Sequence, residues 1–280
     1  MFIKPKCLAG FVTLAVLGVF LGPSTMLGEA DAKVLRSIVA SDTILSGMLS
    51  SLLPPGRYST EAILPPGQCP GHYDVKLSDI ERVKKADLIV SFKGVPFMAK
   101  AESGKKEQLQ IDAGGRNWMA PDSYIHGLAT LAQELSQRFP EDQEEIMKRK
   151  EESIGRVKTE AKGLIEKINT AGIHGKAIIA SSMQKEPLEW MGFRVVGEYG
   201  RPEAMSTREL VRLSRIGREE QAVAVVDNLQ SGPEAGRGIA ETLGVPHVVL
   251  TNFPSEKGYL ATLSENVEAV LAAIAEKRTH

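Results

Sequence analysis

Cys69 and His72 stand three residues apart in a turn-rich segment, and their types and spacing suit chemistry better than any other pair. A thiolate and an imidazole so placed can bind one metal ion. A complete site needs further ligands, and His126, near the start of an amphipathic helix, is the best candidate for the third. Asp227 ends a Val-rich segment and is the carboxylate best placed to complete the set. The predicted metal site is therefore Cys69, His72, His126 and Asp227.

Other roles remain open for these residues. The pattern around Cys69 is also typical of a small apolar side chain buried in the core. His126 also fits an exposed position or a helix cap, and Asp227 also fits a turn or a helix cap. A second chemistry is an exported hydrolase in which Cys69 attacks and His72 is its base. The sequence has no G-x-S-x-G, P-loop or G-x-G-x-x-G motif, so serine-hydrolase and nucleotide chemistry lack support.

The charge of the chain is nearly balanced. Its 280 residues include 34 Lys and Arg against 35 Asp and Glu, a formal net charge of −1. A nucleic-acid-binding protein usually carries a basic surface, so we expect no nucleic-acid partner. The composition, with 42% hydrophobic residues, is that of a soluble globular protein, and the length favours two domains.

The first 32 residues have the pattern of a secretory signal peptide. Lysines precede an apolar run at residues 8–21, and small residues stand before a cleavage site after Ala32. The run is shorter than the roughly 20 residues that span a membrane. We therefore expect residues 1–32 to be removed and the mature chain to be periplasmic. Cys69 is then its one cysteine, which is unusual where thiols are normally paired.

The next part of the chain alternates strand and helix patterns. Apolar segments at residues 34–40 and 86–91 predict strands, and residues 43–53 and 77–85 have helical periodicity. This alternation predicts a parallel sheet with crossover helices, in an N-terminal α/β lobe over residues 33–139.

Residues 140–171 predict a single long helix. The segment 141–169 contains no proline, and its apolar residues recur at intervals of three and four, with Gly155 and Gly163 as weak points.

The α/β alternation then resumes, which predicts a C-terminal lobe over residues 172–280. The predicted fold is α/β, with two lobes, each a parallel sheet with flanking helices. Ligands of such folds bind at the carboxyl ends of the strands, here in a cleft between the lobes.

A series of short motifs follows one another over more than 200 residues: the Pro-containing loop 64–67, His72-Tyr73-Asp74, Ser78-Asp79-Ile80, residues 86–90, Trp118 with Pro121, Gly192-Phe193 and residues 206–210. In order and spacing this series resembles the metal-specific, zinc and manganese solute-binding proteins of ABC transporters. The resemblance implies two α/β lobes joined by one long rigid helix, a metal cargo, a membrane permease as partner, and no catalysis. We expect the receptor to be a monomer.

The metal site is where the sequence departs from that family. The resemblance places the family's ligands at positions that here hold mostly other residue types: His72 or Gly71, Arg116, residues 181–183, and Asn228 with residues 251–252. The His-rich loop of the family is also missing, since 15 residues, 102–116, occupy its place.

Two explanations follow. In the first, Cys69, His72 and His126 form a relocated site with Asp227 or water, and the thiolate favours zinc or a softer ion over manganese. In the second, the site is lost and the cleft binds a metal chelate or a small anion through Arg116 or Arg201. We favour the first: a periplasmic receptor that captures a zinc-like transition-metal ion for a permease and uses no organic cofactor. The Cys/His hydrolase, and an adhesin or scaffold role, remain alternatives.

Overall fold

The computed structural model describes residues 35–101 and 107–278. The predicted signal peptide, residues 1–32, lies outside this part of the chain. The described residues form one compact unit with two parallel sheets, each of four strands. Among them, no helix is both long enough and apolar enough to span a membrane.

The first lobe contains a sheet of strand order β2-β1-β3-β4. Its strands are β1 (Arg36–Ala40), β2 (Tyr58–Ala62), β3 (Leu88–Phe92) and β4 (Gln108–Ile111). Its helices are α1 (Thr43–Leu52), α2 (Leu77–Lys85), α3 (Pro96–Ala101) and α4 (Pro121–Arg138).

A short 3-10 turn, Pro140–Asp142, leads into α5 (Gln143–Ala171), and the second lobe follows with strand order β6-β5-β7-β8. Its strands are β5 (Ala177–Ser181), β6 (Arg194–Tyr199), β7 (Val225–Asn228) and β8 (His247–Leu250). Its helices are α6 (Lys185–Trp190), α7 (Thr207–Glu219), α8 (Arg237–Leu243) and α9 (Tyr259–Arg278).

The long helix α5 runs without interruption and ends at Gly172, whose φ of 64° suits a helix C-cap. Gly155 and Gly163 leave open space around them and do not break it. Its buried residues, such as Val157 and Leu164, join a hydrophobic core that continues through both lobes. The helix and this shared core therefore hold the two sheets in one framework.

The predicted fold class is confirmed: two α/β lobes with parallel sheets and one long helix. Helix α4, the amphipathic helix predicted to begin near His126, begins at Pro121, because proline is well suited to the first helical turn. The six-residue helices α3 and α6 were not predicted, since a segment of that length shows too few turns for its periodicity to be read.

Candidate functional site

A cavity of about 710 Å³ lies between the lobes, where strands of both sheets end. This is the edge at which parallel α/β sheets bind ligands. The lining residues from the first lobe include Asp42, Phe92, Val95, Phe97, Arg116, Asn117 and Trp118. Those from the second lobe include Ser182, Met183, Lys185, Glu186, Glu189, Asn252 and Phe253.

The loop after β4 brings Arg116 to the cavity. Gly114 and Gly115 both adopt a positive φ, 61° and 69°, which residues with a side chain rarely adopt. The turn is fixed because the Gly114 N–H donates to the Asp112 carboxylate at 2.9 Å and the Arg116 N–H donates to the Ala113 carbonyl at 3.0 Å. The exposed Arg116 side chain has no hydrogen bond or ion pair with any described residue. It is therefore an available cation at the cavity.

Aromatic rings form part of the first-lobe wall. Phe92 and Trp118 pack edge to face, with ring centroids 4.6 Å apart and an interplanar angle of 84°. A Cβ atom at Gly127 of α4 would lie 2.6 Å from Cζ3 of Trp118, so the absence of a side chain there lets the indole pack closely. The buried Nε1 of Trp118 has no hydrogen-bond partner. This part of the wall is therefore aromatic and apolar.

Two of the lining carboxylates are already engaged. Asp42 caps α1, since it accepts hydrogen bonds from the Ser41 hydroxyl at 2.6 Å and from the N–H groups of Ile44 and Leu45. Burial raises the pKa of Asp42 above its ordinary value. Glu186 accepts the N–H of Asn117 at 2.5 Å and the hydroxyl of Ser123. Both carboxylates are thus already held by hydrogen bonds within the protein.

Neutral amides occupy the second-lobe side of the cleft. The Gln184 amide group donates to Oδ1 of Asn228 at 2.9 Å and to Oδ1 of Asn252 at 2.8 Å. The Asn252 side chain donates to the Met183 carbonyl at 3.1 Å, and its N–H donates to the Gln230 amide oxygen at 3.0 Å. Gln184 is fully buried, and its Oε1 has no partner. These side chains bind mainly one another and carry no charge.

Cys69 and His72 share one turn in the loop between β2 and α2. The His72 N–H donates to the Cys69 carbonyl at 3.1 Å, the free thiol is partly buried, and the imidazole is exposed. Pro70, inside the turn, lines the cavity. A Cβ atom at Gly71 would lie 3.2 Å from a guanidinium nitrogen of Arg201, so the turn also faces the second lobe. The predicted pair therefore stands beside the cleft.

His126 and Asp227 do not join that pair. His126 is exposed on α4. Asp227 is fully buried, and its oxygens accept the Tyr199 hydroxyl at 2.6 Å and the Gly236 N–H at 2.9 Å. The His247 ring lies 2.6 Å from the same carboxylate.

In the described parts of the chain, no three His, Cys, Asp or Glu side chains are close enough to hold a metal ion. The structure thus does not assemble the predicted four-residue site, and it places Asp227 in the second-lobe core instead of the cleft.

Of the positions that the family resemblance assigns to metal ligands, Arg116, Ser182, Met183 and Asn252 line the cavity. Their location was predictable from the motif order, but Asn117 and Glu186 were missed as cleft residues. The signal for Asn117 was its place beside Trp118 in the Arg-Asn-Trp sequence. Glu186 gave no signal, because the helix that carries it was not predicted.

The model of a protein family described as the periplasmic zinc-uptake complex component A matches residues 38–273. The chain belongs to this family. It is therefore a metal-specific solute-binding protein of the kind that serves ABC transporters, and not an enzyme.

Solved structures share the fold at low sequence identity. The laminin-binding protein of Streptococcus agalactiae, a bifunctional adhesin with metal-transporting activity, is 16% identical, with a TM-score of 0.70 over 86% of this chain and 100% of its own. The Mn-bound periplasmic metal-binding protein of Candidatus Liberibacter asiaticus is 13% identical, with a TM-score of 0.72 over 85% and 99%.

A third structure is FpvC of Pseudomonas aeruginosa in complex with Ni²⁺, which is 17% identical, with a TM-score of 0.69 over 87% of this chain and 98% of its own. No curated protein is significantly similar in sequence.

Proposed function

We propose that this receptor takes up its metal as a complex with an organic chelator, holds the complex in the cleft between the lobes, and delivers it to an ABC permease. The observation that carries this proposal is the lining of the 710 Å³ cavity. Among its described lining residues there is no cysteine or histidine, and two of the three carboxylates, Asp42 and Glu186, are engaged within the protein.

A bare ion and a chelate need different sites. A bare transition-metal ion needs several N, O or S ligands that converge at about 2.0–2.3 Å, and thiolate or imidazole ligands must also lose their protons. A chelate brings its own ligands, so the protein needs a cavity of suitable size with a few polar groups. Pockets for small organic ligands measure about 300–1,000 Å³, and the cleft falls within this range.

The metal in the proposed cargo rests on the family. Relatives of the same fold are described with Mn²⁺, Ni²⁺ or Cd²⁺ bound, which supports a metal-bearing cargo without naming the metal here. Export through the predicted signal peptide, residues 1–32, would place the mature chain in the periplasm, where it would act as a monomer.

In a second candidate function, the receptor binds a bare, zinc-like ion. This candidate is favoured by the turn that joins Cys69 to His72 beside the cleft. It needs water as a further ligand, because His126 and Asp227 do not join that pair. The two candidates differ in which residues the cargo depends on and in how affinity varies with pH.

Equilibrium dialysis of the exported, tag-free protein separates the candidates. One series offers Zn²⁺, Ni²⁺ and Mn²⁺ alone, and the other offers ferric citrate and a ferric tris-catecholate. The proposal predicts binding of a chelate near one equivalent, unchanged when Cys69, His72 and His126 are all replaced by alanine. Binding of one equivalent of bare Zn²⁺ would favour the second candidate instead, provided that this binding is lost in the triple variant and that its affinity falls between pH 7.5 and pH 5.

A further inference from the structure

The lining of the cleft also indicates which kind of chelate fits, an inference that rests on the proposed function. We infer that the organic part of the cargo is an aromatic anion of the catecholate or aryl-carboxylate class. Its anionic oxygens would pair with Arg116, and its ring would pack on the aromatic wall that includes Phe92, Trp118 and Phe253.

One of the two cations that line the cavity in the described part of the chain is available to an anion. Arg116 and Lys185 are the cations among the described lining residues, and Lys185 donates to Glu198 at 2.5 Å. That hydrogen bond is the main cause of the raised pKa of Lys185, and Glu189 adds to it. Lys185 is thus paired within the protein, whereas Arg116 has no partner among the described residues and is the cation available to a ligand. A guanidinium binds a carboxylate or a pair of adjacent phenolate oxygens through two parallel N–H groups.

The aromatic wall beside Arg116 favours a cargo with a flat apolar group. Phe92 and Trp118 present rings at right angles to each other, and Phe253 contributes a partly buried ring from the second lobe. Aromatic pairs in offset or edge-to-face arrangements are stabilised beyond the apolar area that they bury, which favours an aromatic cargo over an aliphatic one of equal area.

Three ferric complexes test separately whether the cargo must be an anion and whether it must carry an aromatic ring. A tris-catecholate is anionic and aromatic, citrate gives an anionic aliphatic complex, and a trihydroxamate of the neutral aliphatic type has neither property. Binding is followed through quenching of tryptophan fluorescence and by dialysis. The inference predicts the tightest binding for the tris-catecholate and the weakest for the trihydroxamate.

Two variants then assign each requirement to a residue. Arg116→Gln should weaken both anionic complexes about 10- to 100-fold and leave the neutral one unchanged, since hydrogen bonds to charged groups have this magnitude. Phe253→Leu, which keeps an apolar side chain, should weaken the tris-catecholate about 3- to 10-fold and spare citrate. Arg208→Gln removes the same charge from an exposed position outside the cavity and should change none of the affinities.

Each other outcome overturns a defined part of the account. Equal binding of all three complexes, or an Arg116→Gln variant that binds them like the parent, would refute the aromatic anion while leaving the chelate proposal intact. Binding of metal-free catechol as tight as that of its ferric complex would refute the chelate proposal and would identify the cargo as a simple organic anion. Binding of Zn²⁺ alone, with none of the complexes, would refute both proposals.

Discussion

The side-chain amide of Asn117 in the first lobe donates a hydrogen bond to Oδ1 of Asn252 in the second lobe, at 2.9 Å. The same amide reaches the Met183 carbonyl at 2.5 Å, while the Asn117 N–H and the Ser123 hydroxyl both donate to Glu186. The lobes are thus joined at the cleft itself, in addition to the shared core along α5. Because Arg116 precedes Asn117, the cation that we assign to the cargo is held beside this connection.

Replacing Asn117 by alanine should loosen the connection between the lobes. The variant loses its side-chain hydrogen bonds to Met183 and Asn252, so we expect the free energy of unfolding to fall by about 1–3 kcal/mol. Urea unfolding followed by circular dichroism measures this loss. Asn169→Ala, at an exposed position of α5, is the matched control and should be neutral or slightly stabilising. Equal stability of the two variants would show that the amide contacts do not hold the lobes together.

A glycine pair in the second lobe tests the packing around Asp227. A Cβ atom at Gly236 would collide with the Tyr199 hydroxyl and lie 2.6 Å from Val225, whereas a Cβ atom at Gly238 would meet nothing within 4 Å. We expect Gly236→Ala to lower the free energy of unfolding by about 1–3 kcal/mol through overpacking. Gly238→Ala, in helix α8, should raise it by up to about 1 kcal/mol. Thermal melts that rank the two variants in the opposite order would contradict this packing.

Asp227 should affect stability and leave cargo binding unchanged. Its buried carboxylate accepts hydrogen bonds from Tyr199 and Gly236 and lies against His247, so Asp227→Asn should lower the free energy of unfolding by about 2–4 kcal/mol. Asp74→Asn, at an exposed position, should change it by less than about 0.5 kcal/mol. Cargo affinity measured well below the melting temperature should match the parent. A variant of normal stability that no longer binds its cargo would restore Asp227 as a ligand.

The fold was predictable because its signals are local and repeated. Val39 and Ile89 lie in short apolar segments that can be recognised individually, and the unbroken helical periodicity of α5 marks the division between the lobes. Whether the four predicted ligands meet was not predictable, because it depends on how distant segments converge. The spacing of Cys69 and His72 correctly indicated a shared turn, but nothing local shows that His126 does not join it.

The case of Asp227 illustrates the same limit. Its place at the end of β7 suggested that it could reach the cleft, yet the partners that bury it, Tyr199, Gly236 and His247, come from other elements. A sequence shows that a carboxylate ends a strand, but it does not show which donors already satisfy it.

The pH dependence of stability should reveal the buried carboxylate of Asp79. Burial by itself raises the pKa of this group, but hydrogen bonds from the Lys76 N–H, Arg82 and Tyr73 outweigh burial and hold the pKa below its ordinary value. A carboxyl group with a lowered pKa stabilises the folded state above its unfolded pKa of about 4, and this contribution is lost as the pH falls through the folded pKa.

The stability difference between the parent and Asp79→Asn should accordingly be largest near pH 5–7 and should shrink below about pH 4. Chemical denaturation at a series of pH values measures it, with Asp74→Asn as the control that shows no such trend. A difference that stays constant from pH 7 down to pH 2.5 would mean that the charge of Asp79 does not stabilise the fold.

The most direct test of the central claim is X-ray absorption at the edge of the metal that co-purifies with the exported protein. If the cleft holds a chelate, the first coordination shell should consist of the chelator's own atoms and should match the free complex. The shell should also stay the same in the Cys69→Ala and His72→Ala variants. A sulfur neighbour at about 2.3 Å together with imidazole nitrogen at about 2.0–2.1 Å, both lost in these variants, would show that the protein binds the bare ion through the turn beside the cleft.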